Sequence, residues 1–432
     1  MKEERTPYIS VGIDVGADFS ELSIALPNYD LVGKPYKLIH SKPQSLQGAV
    51  ERIQTAERRE NLCAKIFLES TGIYHYPLYY YFKELGYEIF VLNPLITHAN
   101  QNINIRKVHN DKLDSQKVAR LGLRPDLKTS VIPNDLVLNI RNLSREYFNL
   151  QRERTRYVNR LKAQLRQVFP QYLKVFSKVT GAASLKILEE YTSPERIRLV
   201  GRDELISVIS TAARRGRAAA EKTCDKLLSA AWDAAGFGHG VESNLYLIRH
   251  FVGMIRTLDE KAGELLVQIK QILKVHPDEP FVRQIHLLQT IPGVGFLCAV
   301  TLVCEIGDFH AFRRPKQLYS YFGLDPAVKQ SGNFVGTDVR LSKRGSGYAR
   351  KMIYIIAMQS VGSTCTGQPK NPILKDYYSE KCKSKAKMTA LGAVMHKVCN
   401  IIFAVLRDNK PFSLISPEEH RKAFASPDRL AA

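Results

Sequence analysis

Tyr8-Ile9-Ser10-Val11-Gly12-Ile13-Asp14-Val15 is apolar along most of its length and carries an acid near its end. It reads as a buried strand, with Gly12 and Gly16 flanking Asp14. Ala64-Lys65-Ile66-Phe67-Leu68-Glu69 repeats the plan, and Ser70-Thr71-Gly72 follows it. Around these two, residues 19–26 alternate as a strand and about 35–40 suit a third. Residues 44–59 read as a helix, 76–85 as another, and 87–92 as a last strand. Strands and helices in this order predict an α/β domain with a mixed sheet. Ligands of such sheets gather at strand ends, where Asp14 and Glu69 stand.

Asn110-Asp111-Lys112-Leu113-Asp114-Ser115-Gln116-Lys117-Val118-Ala119 reads as the start of a further helix. Asp111 and Asp114 are three residues apart, so they share a helix face. Two readings fit. Acids in a first helical turn are favoured by the dipole and need no ligand. Two carboxylates held this close also repel unless a cation lies between them, and a divalent metal is the usual solution. With Asp14 and Glu69, four acids from three elements can converge on one point.

The 432 residues suffice for two or three domains. Sixty-three Lys and Arg against 42 Asp and Glu leave a net charge of +21. A surface of that sign attracts polyanions, nucleic acid first and an anionic membrane second. The sequence reads as lacking an 18-residue apolar run that could cross a membrane. Met1-Lys2-Glu3-Glu4-Arg5 leads into a strand without a signal-peptide apolar region. Cys63, Cys224, Cys298, Cys304, Cys365, Cys382 and Cys399 are scattered, with no Cys-x-x-Cys pair. That argues against zinc and a disulfide framework, and fits a reducing cytoplasm.

From Pro133 to Pro170 the period changes. Leu136, Ile140, Leu143, Tyr147, Leu150, Tyr157, Leu161, Leu165 and Val168 recur at steps of three and four, and Arg154 breaks the seam. This predicts a coiled-coil helix. Its other faces carry Arg141, Arg145, Arg152, Arg156, Arg160, Lys162 and Arg166, which are either a solvated face or a phosphate-binding one. The seam resumes over 243–275. An antiparallel hairpin follows, 134–169 paired with 243–275, with a helical insert at 171–242. The expected division is 1–130, 131–282 and 283–432.

The last region is expected to be mainly α. It opens with Thr290-Ile291-Pro292-Gly293-Val294-Gly295. Gly293 and Gly295 between two helices suggest a helix-hairpin-helix element, whose exposed backbone N–H groups hold a DNA phosphate. A tight turn without a ligand fits as well. Glu305-Ile306-Gly307-Asp308 and Gly323-Leu324 come next. Ser331, between Lys329-Gln330 and Gly332-Asn333, reads as a loop serine, and such serines usually form turns. Arg340, Lys343, Arg344, Arg350 and Lys351 crowd after it and are candidate phosphate contacts.

Together these segments resemble the insertion-sequence transposases with a RuvC-like DEDD domain and a C-terminal transposase domain, related to the Piv and MooV invertases. The residues that carry the likeness are Gly12-Ile13-Asp14-Val15, Leu68-Glu69-Ser70-Thr71-Gly72, Asp111-Lys112-Leu113-Asp114, Thr290 to Gly295, Glu305 to Asp308, and Gly323-Leu324 through Ser331-Gly332. One departure is that the family commonly has Lys-Thr/Ser-Asp and then Ala after the last acid, where this chain has His109-Asn110-Asp111 and Ser115. The resemblance implies a RuvC/ribonuclease-H-like N-terminal fold and a DNA recombinase guided by a structured non-coding (bridge) RNA. It implies Mg2+ or Mn2+ on Asp14, Glu69, Asp111 and Asp114, with Ser331 as the nucleophile that forms a phosphoserine link. It further implies donor and target DNA as partners. We expect a dimer that becomes a tetramer on DNA, in a bacterial or archaeal cytoplasm at the nucleoid. Three rivals stay open: a Piv-type invertase, a metal-dependent junction nuclease without a covalent intermediate, and a non-catalytic nucleic-acid-binding protein.

Overall fold

The computed structural model describes residues 7–70, 72–92, 110–127, 134–214, 216–234, 242–326, 330–331, 334–335, 341–415 and 418–419, with backbone alone for 330–331 and 334–335. The chain divides into two compact units, Met1–Pro133 and Asn134–Ala432.

The first unit holds β1 (Ile9–Val15), β2 (Phe19–Ala25), β3 (Tyr36–Ile39), α1 (Pro43–Glu60), β4 (Ala64–Glu69), α2 (His75–Glu84), β5 (Glu88–Leu92) and α3 (Asp111–Gly122). The strands and the first two helices fall within a residue of their expected bounds. They form a mixed five-stranded sheet in the order β3-β2-β1-β4-β5. β1, β4 and β5 run parallel, and β2 is antiparallel to both β1 and β3. Strand alternation sends Ile9, Val11 and Ile13 to one face, where Ala49, Ile53, Leu78 and Phe82 cover them. Ser10, Gly12 and Asp14 point to the other face, which α3 covers. Gly12 permits this close approach, because a Cβ there would stand 2.0 Å from the Ala119 nitrogen. Two further contacts fix the helix: the Ser23 and Ser115 hydroxyls are 2.8 Å apart, and the Tyr8 hydroxyl donates to the Gly122 carbonyl at 2.7 Å. The Asn110 side chain caps α3 by accepting from the Lys112 N–H.

The second unit begins with α4 (Asp135–Val168) and a short 3-10 turn at Pro170–Lys174. α5 (Ala182–Tyr191), α6 (Pro194–Leu199), α7 (Arg202–Ala213) and α8 (Arg217–Asp233) then lead to α9 (Glu242–Val275). α4 and α9 each run 34 residues. Gln167 bonds Asn244, Tyr157 packs on Phe251, and Arg154 pairs with Asp259. Contacts in that reversed order make the two helices antiparallel. Arg154, the break in the apolar seam, is thus the group that reaches across to Asp259. The insert helices close a core on one end of the pair, with Leu165, Leu188, Ile206, Leu227 and Phe251 inside it.

The other end of the pair shares a second core with the C-terminal helices. These are α10 (Pro280–Gln289), α11 (Phe296–Ile306), α12 (Pro315–Tyr321), α13 (Gly347–Val361), α14 (Pro372–Ser384) and α15 (Lys387–Asp408). Ile140, Phe148 and Ile269 of the long helices lie among Ile285, Val300, Ile353, Val394 and Ile402. The segments expected as 131–282 and 283–432 therefore lie within one compact unit. Between α12 and α13, β6 (Gln330–Ser331) pairs with β7 (Phe334–Val335).

α15 corrects one expectation. Its 22 residues are long and apolar enough to cross a membrane. Lys397 interrupts its apolar run. Leu391, Val394, Val398, Ile402 and Phe403 bury its apolar face in the core of the second unit.

Candidate functional site

Parallel pairing sets Ile13 against Leu68, so Asp14 and Glu69 follow at neighbouring strand ends. Gly12 lets α3 lie directly over β1, which places its first turn, with Asp111 and Asp114, above them. The electrostatics agree with this placement. Asp14 is pushed up to about 7 by burial first, then by the charges of Glu69, Asp114, Asp111 and Glu21. The other three acids named from sequence therefore all act on Asp14, and Glu21 of β2 joins them. Lys117 reaches Asp114 at 2.7 Å, one turn along α3. Glu69 is buried.

This donor set suits a hard divalent cation, which takes carboxylate oxygens and relieves their mutual repulsion. Among the described residues no three acid, histidine or cysteine side chains stand close enough to enclose an ion. An ion here would draw the carboxylates inward. The fit is one of charge and donor chemistry, carried by the raised Asp14 carboxyl.

In the second unit, the arginines of α4 divide into two groups. Arg141 donates to the Cys304 carbonyl at 2.8 Å, and Arg145 makes a two-pronged pair with buried Glu305 at 2.7 and 2.9 Å. These hold α4 to α11. Arg160 lies over the Phe251 ring, 4.5 Å from its centre. Arg152 bonds Asn149 and the Tyr348 hydroxyl, and Arg156 pairs with Glu153 of its own helix.

Arg152 and Arg156 line a groove of about 780 Å³ together with Lys351, Gly293, Gly295 and Phe296. Gly293 is exposed and has φ of +90°, the left-handed region that favours glycine. Gly295 immediately precedes α11 as its N-cap residue, and no side chain caps the helix. The first amides of that helix, which lack intrahelical partners, open beside three cations. Such an arrangement can hold phosphate.

Ser331 stands in a two-residue strand rather than in an open loop. Gln330 faces Val335 and Ser331 faces Phe334, while a bridge from Pro326 to Leu341 closes the base of the segment. The Ser331 side chain and Arg340 lie outside the described residues. The Ser342 hydroxyl donates to Asp325 at 2.6 Å and the Ser346 hydroxyl caps α13, so both are engaged in the fold. Arg350 is engaged too: it donates to the carbonyls of Phe322 and Gly345 at 3.0 and 2.6 Å, and burial lowers its pKa. Lys343 and Arg344 are exposed.

Residues 11–170 match a DEDD transposase domain of the IS110 type, and residues 285–379 match the transposase domain of the IS116/IS110/IS902 family. The chain belongs to the IS110/IS116 family of transposases. The first match contains all four acids, and the second contains the glycine turn and Ser331. The chain is 25% identical to an insertion element IS110 protein of Streptomyces coelicolor over 60% of each chain. It is 23% identical to an IS116 protein of Streptomyces clavuligerus, covering 71% of this chain and 73% of that one. It is 30% identical to the pilin gene-inverting protein of Moraxella lacunata over 38% of this chain and 47% of that one. Within this IS110-type chain, Asn110 serves as the helix cap and Ser115 bonds Ser23, at two of the three positions where the sequence departs from the family pattern; the third, His109, lies outside the described residues.

Proposed function

We propose that this IS110-type chain is the recombinase of an insertion sequence that cuts and rejoins DNA through Ser331. The observation that carries this reading is that Asp14, already raised by burial, also feels the charges of Glu69, Asp114 and Asp111, which together push it up to about 7. The strand order β3-β2-β1-β4-β5 agrees with a ribonuclease-H-type sheet, whose acids hold Mg2+ or Mn2+. A bound ion supplies charge neutralisation at the scissile phosphate and at the leaving oxygen. Asp14, Glu69, Asp111 and Asp114 hold and orient it.

In the proposed step the Ser331 oxygen bonds to a DNA phosphorus while the bond from that phosphorus to a deoxyribose oxygen breaks. The serine proton leaves, and a proton is taken up by the departing deoxyribose oxygen. One phosphate ester replaces another, so the reverse attack by a different strand end rejoins DNA without an external energy source. The groove at Gly293, Gly295, Arg152, Arg156 and Lys351 binds nucleic acid phosphate. The antiparallel helices act as a coiled-coil arm, and a structured guide RNA and assembly from a dimer to a tetramer complete the proposed machinery. The test is to denature the protein after incubation with donor and target DNA and map the residue bearing a nucleotide. Ser331→Ala should bind DNA yet give no adduct and no recombinant. An adduct that persists in Ser331→Ala overturns the serine assignment. Cleavage by the parent protein with no adduct favours a metal nuclease.

The likeness to the pilin gene-inverting protein supports a second reading, a site-specific DNA invertase. A structured non-coding segment beside the gene distinguishes the guided transposase from it.

A further inference from the structure

The sheet face under α3 carries an acid outside the four-acid pattern. Glu21 sits on β2 directly opposite Asp14 in an antiparallel ladder. Residues opposed in this way project from the same face, with Cβ atoms about 4.5–5.5 Å apart. Glu21 is 4% exposed, and its Oε2 has no hydrogen-bond partner. A buried carboxylate oxygen without a donor is costly, and an ion is one of the few things that accounts for it. Its neighbours on this face are Ser23, which bonds Ser115, Asp14, and Lys37 opposite it on β3. The Lys37 ammonium lies over the Phe19 ring, 3.8 Å from its centre, and makes no ion pair with Glu21. The charge of Glu21 is felt at Asp14.

We propose that Glu21 is a fifth carboxylate ligand of the acid site and binds the divalent cation from the β2 side. This rests on the metal reading of the four acids. Its consequence is that the site is set by sheet geometry as well as by the DEDD spacing. Glu21 presses on Asp14 when no ion is bound and shares the ion with it when one is.

The experiment is a titration of the full chain with Mn2+, followed by calorimetry, for the parent, Glu21→Gln, Glu21→Asp and Asp14→Asn. Glu21→Gln removes a charge while keeping the shape. It should weaken Mn2+ binding about tenfold or more, or remove a bound ion, since even the outer-shell partners of metal ligands commonly count for that much. Its metal-free melting temperature should hold or rise, because a like charge opposite Asp14 has gone. A support role for Glu21 gives the opposite signature: a lower melting temperature with Mn2+ binding intact, which overturns the proposal. Should the glutamine variant fail to fold, Glu21→Asp decides, because its shorter side chain keeps the charge but withdraws from the ion. Unchanged Mn2+ affinity there also overturns it. If Asp14→Asn binds Mn2+ as the parent does, the metal reading itself fails. If Asp14→Asn loses Mn2+ and Glu21→Gln does not, only the role of Glu21 fails.

Discussion

The acids of the first unit and the arginines of the second are both dense in like charge, and the fold treats them in opposite ways. Asp14, Glu21, Glu69, Asp111 and Asp114 come from four elements, and burial together with the charges of the other four raises Asp14 to about 7. The arginines of α4 are spread along one helix, and the fold supplies partners for several of them. Arg141 and Arg145 are bound to α11, and Arg154 to α9. The first arrangement leaves repulsion that Lys117 answers only at Asp114, and that a proton on Asp14 or an added cation relieves further. The second uses charge as attachment, and around an uncapped helix start it leaves Arg152 and Arg156 in exposed polar contacts and Lys351 over the Phe148 ring. A crowded charge therefore points to function only after its internal partners have been subtracted.

The largest expected effect is at the crowded acids. Asp14→Asn or Asp114→Ala should lower recombination about a hundred- to a thousandfold, as loss of a charge-stabilising group does, while the domain stays folded. Full activity of Asp114→Ala in a cell-based recombination assay would remove that acid from the site. Asp14 also gives a pH signature. Its carboxyl is raised in the folded chain from 3.8 to about 7. The metal-free folded state therefore binds that proton more tightly than the unfolded one. The stability this contributes is full below about pH 4 and is lost as pH rises through 7. Relative to Asp14→Asn, the parent should lose on the order of 1–2 kcal/mol over that range after allowance for solvent screening. A difference that stays flat with pH would mean that the acids are not crowded.

Next in size is Arg145. Its removal leaves Glu305 buried and charged, so Arg145→Ala should cost about 2–4 kcal/mol in chemical denaturation. Arg156→Ala should change stability by less than about 0.5 kcal/mol, since its partner is an exposed neighbour on the same helix. Equal costs at the two positions would erase the distinction between attachment and open charge.

The groove is sharpened by salt dependence. Replacing Arg156 and Lys351 by Ala should reduce the salt slope of nucleic-acid binding by about one per lost phosphate contact. An unchanged slope would make the groove a solvated hollow.

How far each charge could be read in sequence follows from the distance to its partners. Asp14 and Glu69 are legible because strand periodicity and a strand-terminal acid are local signals. Asp111 and Asp114 are legible because three residues of spacing define a helix face. Glu21 is not: it looks like the polar half of an alternating strand, and its burial is imposed by α3, which begins 90 residues later. Arg145 misled for the same reason, because its partner Glu305 is 160 residues away. Arg154 read as a flaw in an apolar seam until Asp259 supplied the answering charge. The helices after residue 365 carried no motif, although α15 is central to the core of the second unit.

The smallest effect bears on whether α3 is held by its own contacts or by the acids at its start. Ser115 is fully buried, and its hydroxyl bonds Ser23 across to β2 and the Lys112 carbonyl along the helix. Ser115→Ala leaves the Ser23 hydroxyl, itself buried, without this partner. The expected cost is about 1 kcal/mol, near the net worth of one buried hydrogen bond. Ser23→Ala should cost about the same, and the double variant should cost clearly less than the sum, because both polar groups then leave together. Mn2+ affinity should stay within about twofold of the parent in the double variant, since Gly12 still lets α3 lie on the sheet. A sharp loss of Mn2+ binding there would mean that the serine pair sets the height of the first turn of α3. The placement of Asp111 and Asp114 would then depend on this hydrogen bond rather than on the close contact at Gly12.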